Sequence, residues 1–124
     1  MKLGIVHPYT DIEDRTREVE ELSRAEEFER SAYFLAAWQD FERASKETLA
    51  EHNSNLNLHS PRVVISRLTE AGKIDWEDAA VLEEGLKARN LIVHGGRRVS
   101  AEIAERLTTS LVEIVRKITA PVSA

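Results

Sequence analysis

Residues 11–52 read DIEDRTREVEELSRAEEFERSAYFLAAWQDFERASKETLAEH, and this stretch decides the fold. Gly and Pro are the strongest punctuators of a chain, and neither occurs between Tyr9 and Pro61. Val19, Leu22, Phe28, Ala32, Leu35, Trp38, Phe41 and Leu49 recur along it at an approximate helical period. One helix of that length spans roughly 60 Å, more than a compact domain of this size needs. A break, or a projecting N-terminal part, is therefore expected near Glu20–Glu27. The run His52-Asn53-Ser54-Asn55-Leu56-Asn57 marks the end of the segment, because Asn and Ser favour turns over helix interiors.

Three further helices follow outward from it. Ser60-Pro61 reads as an N-cap and first helical position; Val64, Ile65 and Leu68 supply an apolar side, and Gly72 a stop. Asp75 caps the third helix, with Glu77 and Asp78 at its positive dipole end. Ala79, Leu82, Leu86, Asn90 and Val93 share one side of it, and Gly95-Gly96 ends it. Ser100 caps the fourth, where Ile103, Leu107, Leu111, Ile114 and Ile118 form a core stripe ended by Pro121. Strand-type alternation is missing. The expected fold is all-α: an antiparallel four-helix bundle of up-down topology with a long first helix.

Composition bounds the function. A chain of 124 residues suits one domain and buries enough apolar surface to fold without disulfides or a structural metal. It contains no Cys, which removes disulfides, Cys-type zinc sites, iron–sulfur clusters and thiol nucleophiles. The N-terminus is not that of a signal peptide, and no apolar run approaches the length that crosses a bilayer, so a cytoplasmic protein without membrane contact is expected. The net charge of −5 opposes bulk attraction to nucleic acid. Residues 1–30, with nine acids against five bases, read as a solvated face.

The chain has no glycine-rich phosphate loop and no nucleophile elbow. His7 is unremarkable, and His52 and His59 read as polar loop residues rather than metal ligands; Trp38 and Phe41 read as packing, and Trp76 opens a helix. One stretch differs from the rest. From Gly85 to Ser100 there are four bases (Lys87, Arg89, Arg97 and Arg98) and no acid, a local attractor for phosphate. Asn90 and His94 are four apart and can touch. Arg89 and His94 lie roughly 140° apart around a regular helix. Their convergence on one ligand then requires unwinding near Gly95 or a second copy of the helix.

Arg89-Asn90-Leu91-Ile92-Val93-His94, late in the third helix, resembles the Arg-x4–6-His motif of the HEPN superfamily of small helical domains. The family form has a polar residue directly after the Arg, here Asn90. The helix order is similar as well, and the resemblance covers residues 23–119. Residues 1–22 form an N-terminal extension or part of the first helix, and residues 120–124 a tail. Members paired with a nucleotidyltransferase antitoxin typically carry a Tyr two residues after the His, where this chain has Gly96.

The resemblance implies a metal-independent endoribonuclease needing no cofactor, of toxin, defence or RNA-processing type. His94 would exchange protons with the ribose 2′-OH or the leaving oxygen, Arg89 would hold the phosphate, and Asn90 would orient either. The product would be a 2′,3′-cyclic phosphate. Lys87, Arg97 and Arg98 are expected to add phosphate contacts to RNA. A two-fold homodimer is expected, with the motifs meeting near the axis and Leu91, Ile92 and Trp76 as apolar contacts; an antitoxin or neighbouring protein is a further expected partner. The alternative is a non-catalytic HEPN-like module that binds a nucleotide or a partner and dimerises.

Overall fold

The computed structural model describes residues 8–52 and 59–121, with side chains from 14 to 51 and from 59 to 121. Among the described residues there are four helices and no strand: α1 (Pro8–His52), α2 (Pro61–Glu70), α3 (Trp76–Val93) and α4 (Ala101–Thr119). The fold is all-α, a helical bundle with a long first helix.

α1 is one uninterrupted helix of 45 residues, roughly 67 Å long. The break expected near Glu20–Glu27 does not exist, since no Gly or Pro is there to make one; the projecting part does. Every side chain from Asp14 to Glu26 is exposed, and burial begins with Glu27, Arg30 and Ser31 before Phe34 enters the core. Val19, Leu22 and Phe28 keep the helical period and are nonetheless exposed. A periodic stripe becomes core only where another helix lies alongside it.

α1 and α4 form the main contact of the bundle and run in the same direction. Arg30 and Tyr33 lie level with Glu105 and Thr108, Asp40 with Val112 and Arg116, and the Thr48 hydroxyl reaches the Ile118 carbonyl at 3.4 Å. α3 runs against both: Gly85 lies beside Trp38 and Phe34, and Ile92 beside Phe28 and Arg24. Alternation of direction therefore holds between α3 and its neighbours, while α1 and α4 are parallel. The reason lies in α2, which begins beside Glu42 and Lys46, back from the end of α1, and is only 10 residues long.

The core is built from Phe34, Trp38, Phe41 and Leu49 of α1, Val64, Ile65 and Leu68 of α2, Leu82 and Leu86 of α3, and Leu107, Leu111, Ile114 and Ile118 of α4. Ile103, at the start of the α4 stripe, is exposed. Trp38 stands at its centre, its ring 5.2 Å from Phe41 and 6.4 Å from Phe34. Gly85 owes its place to that ring. A Cβ there would stand 3.1 Å from Trp38 Cζ3, so the absent side chain lets α3 close on α1.

The caps follow the sequence in two cases of three. Asp75 accepts from the Asp78 N–H at 2.8 Å, and Asp78 accepts from the Asp75 N–H at 3.2 Å, a reciprocal capping box. The Ser100 hydroxyl accepts from the Ile103 N–H at 3.2 Å. Ser60 makes no side-chain cap; its carbonyl accepts from the Val64 N–H, and the fixed φ of Pro61 starts the helix. Lys117 reaches Asp78 at 2.7 Å, tying the end of α4 to the start of α3. The opposite end of α3 is thereby placed beside the exposed half of α1. The turn residues 53–57, His7 and the tail residues 122–124 lie outside the described residues.

Candidate functional site at the end of α3

The last turn of α3 is held by its own backbone. The His94 N–H donates to the Asn90 carbonyl at 2.9 Å, and the Gly95 N–H is shared between Asn90 and Leu91 at 3.2 Å each. Gly96 adopts φ +58, a left-handed conformation favoured by glycine. It folds the chain back until the Arg97 N–H meets the Leu91 carbonyl at 3.1 Å. His94 is the C-cap residue, at φ −106 and ψ −29, off the ideal helix by tens of degrees.

Three side chains converge there. Arg89 is half-buried on the inner flank of α3, while Asn90 and His94 are exposed. Arg89 Nη1 donates to Asn90 Oδ1 at 3.1 Å and stands 3.2 Å from His94 Nε2. Of the two routes expected to bring them together, the departure from the helix next to Gly95 is the one seen within a single chain. The Arg stem carries its guanidinium around the helix past Asn90, and the cap dihedrals bring the imidazole toward it. Guanidinium groups only donate, so this contact is a hydrogen bond in the tautomer that leaves Nε2 without a proton.

The basic segment does not act as one patch. Arg98 stands 3.3 Å from Glu27 of α1. Lys87 lies on the side of α3 that carries His94, two turns earlier, and near Glu84. Arg106 hydrogen-bonds Glu84 and holds its carboxyl below the usual value, Lys87 adding a smaller pull in the same direction. Arg97 lines a groove of about 340 Å³ between α1 and the α3–α4 connection, together with Arg24, Phe28 and Ile92. Of the apolar residues expected at a dimer contact, Trp76 and Leu91 are exposed, while Ile92 is half-buried in the groove wall.

Sequence reasoning missed Arg24, Glu27 and Phe28. By period Phe28 belongs to the core stripe of α1, and only the extent of α3 and α4 along that helix shows otherwise. His59 lies beside Phe41, Glu42 and Lys46, and the side chain of His52 lies outside the described residues. Among the described residues no three His, Asp or Glu side chains are grouped to hold a metal ion, and no helix is long and apolar enough to cross a membrane. No protein-family model, no curated protein and no solved structure matches this chain.

Proposed function

We propose that the chain is a metal-independent endoribonuclease of HEPN type, acting in the cytoplasm as a toxin, defence or RNA-processing enzyme. The observation that carries this reading is the contact of Arg89 with both Asn90 and His94 at one exposed helix end. An RNA phosphate entering there competes for the Arg89 donors, two of which can grip its oxygens. Turning Arg89 to the phosphate frees the Nε2 lone pair of His94. Nε2 then takes the proton of the ribose 2′-OH as that oxygen attacks phosphorus, and the P–O5′ bond breaks. The leaving O5′ takes up a proton from water, His94 returns its proton to solvent, and the 2′,3′-cyclic phosphate remains. Arg89 stabilises the charge that builds on the phosphoryl oxygens. DNA is spared because it lacks the attacking hydroxyl.

The working unit in this reading is a two-fold homodimer, with Trp76 and Leu91 as apolar contacts, and an antitoxin or neighbouring protein masks the site when it is silent. A second reading, a non-catalytic nucleotide- or partner-binding module, is favoured by one feature: the His94 lone pair is already occupied by Arg89. Incubation of purified protein with mixed RNA in EDTA separates the two. Fragments ending in 2′,3′-cyclic phosphate, absent with His94→Ala, support the enzyme; intact RNA supports the binding module.

A further inference from the structure

The groove beside the Arg89–His94 cluster has a chemistry of its own. Phe28 forms one wall with 79% of its surface exposed, and Ile92 forms the apolar surface across from it. Arg24, Arg97 and Arg98 ring the same space. Glu27 also lines it, with a side chain only 22% exposed. Its Oε2 is buried and accepts no hydrogen bond, because Arg98, although 3.3 Å away, is not aligned to donate. The oxygen is ion-paired with Arg98 but not hydrogen-bonded, so a ligand with N–H groups that displaces Arg98 supplies the missing donors.

An open aromatic face among cations is the pattern on which single-stranded nucleic acid stacks. The volume, about 340 Å³, lies at the small end of ligand pockets. The carboxylate selects among bases. Adenine and cytosine each set an amino group next to an acceptor nitrogen, which would oppose the second carboxylate oxygen. Uracil sets one N–H between two carbonyls. Guanine alone presents two adjacent donors, N1–H and N2–H, matched to the two oxygens of Glu27.

We propose that this groove is a guanine-preferring nucleotide subsite: the base stacks on Phe28 and donates to Glu27, while Arg24 and Arg97 hold flanking phosphates. Arg98, displaced from Glu27, turns to the phosphate as well. The subsite rests on the ribonuclease reading for the statement that the nucleotide belongs to an RNA strand, since Arg97 is three residues from His94.

The test uses short 2′-O-methyl oligouridines carrying one guanosine or one inosine, which cannot be cleaved for want of a free 2′-OH. Inosine lacks the N2 amine. Fluorescence anisotropy should show the guanosine strand bound about tenfold tighter than the inosine strand, as fits a hydrogen bond to a charged acceptor. Glu27→Gln should level that preference by bringing the guanosine strand down toward the affinity of the inosine strand, which itself should change little. Phe28→Ala should weaken both strands about tenfold, and Phe28→Tyr should restore them. Phe28 is exposed, so its variants keep the fold, as circular dichroism will show. A guanosine preference that survives Glu27→Gln, or Phe28→Ala binding like the parent, overturns the proposal. So does Phe28→Ala turning a dimer into a monomer with oligonucleotide affinity intact, which would assign the groove to a second copy of the chain. Failure of RNA cleavage with these binding effects present removes the ribonuclease reading alone; cleavage without them removes the subsite alone.

Discussion

Arg89 Nη1 lies 3.2 Å from His94 Nε2 although the two residues leave α3 on different sides. The guanidinium also holds Asn90, so a single donor group sets the position of both neighbours. Lys offers a point charge on a flexible stem instead of a planar fork. Arg89→Lys should therefore lose nearly as much cleavage as Arg89→Ala. His94→Ala should lower kcat by about 10²–10⁴, the range for general acid–base groups. His94 is exposed, so its variant should melt within a few degrees of the parent. Cleavage assays paired with thermal melts check both statements, and a variant that cuts normally removes that residue from the mechanism.

The split of the basic segment predicts unequal effects on RNA binding. Each cation withdrawn from the phosphates of a single strand should flatten the plot of log K against log salt by about 0.7. Arg97→Gln should show the full change. Lys87→Gln should show less, since Glu84 stands near it. Titration of labelled RNA across salt concentrations measures the slopes; equal slopes for all variants would place these side chains outside the RNA path.

Gly85 gives a test of the core. In an exposed helix interior, Gly→Ala gains about 1 kcal/mol. Here the new Cβ would stand 3.1 Å from Trp38 Cζ3, and Trp38, 1% exposed and flanked by Phe34 and Phe41, has no room to retreat. Gly85→Ala should gain nothing or destabilise. In a Trp38→Phe background the same change should recover its gain, which urea unfolding of the four proteins in a double-mutant cycle will show.

The start and the middle of α3 also carry an acid response. The Asp78 N–H, and then Lys117, hold the Asp75 carboxyl below its ordinary value of 3.8, and Arg106 holds Glu84 below 4.5. A carboxyl lowered in the folded state adds stability above its unfolded value and loses it as pH falls through the folded value. Arg106→Gln should therefore lower Tm at pH 7, and the difference should shrink as pH falls below 4.5 through the folded value. The difference should be small and should shrink with salt, since the pair is exposed. Asp75→Asn keeps a side-chain cap and should cost less than Asp75→Ala.

Caps and apolar stripes made α2, α3 and α4 legible, because these signals act within one helix. The limits of legibility were tertiary. Phe28 and Trp38 keep the same period in the sequence, yet α3 closes on Trp38 at Gly85 and leaves a groove between Ile92 and Phe28, and no property of α1 alone separates them. The meeting of Arg89 and His94 was hidden for another reason. An angle around a helix axis describes where Cβ points and ignores the reach of a long side chain over a distorted last turn. Glu27 and Arg98 lie far apart in the chain and carry no mark of their pairing.

The uninterrupted course of α1 makes it two materials in one rod. From Phe34 to Leu49 its turns open only when the core opens. From Asp14 to Glu26 no buried side chain holds them, and a free segment of that length is marginal as a helix in water. Amide protons should therefore exchange faster, turn by turn, toward the N-terminus, with Glu27 at the boundary. Warming should unravel that end gradually, well below the cooperative melt of the bundle. A ligand that clasps Phe28 and Glu27 would move this boundary outward, so groove occupancy would be read in the exchange rates of amides that the ligand never touches.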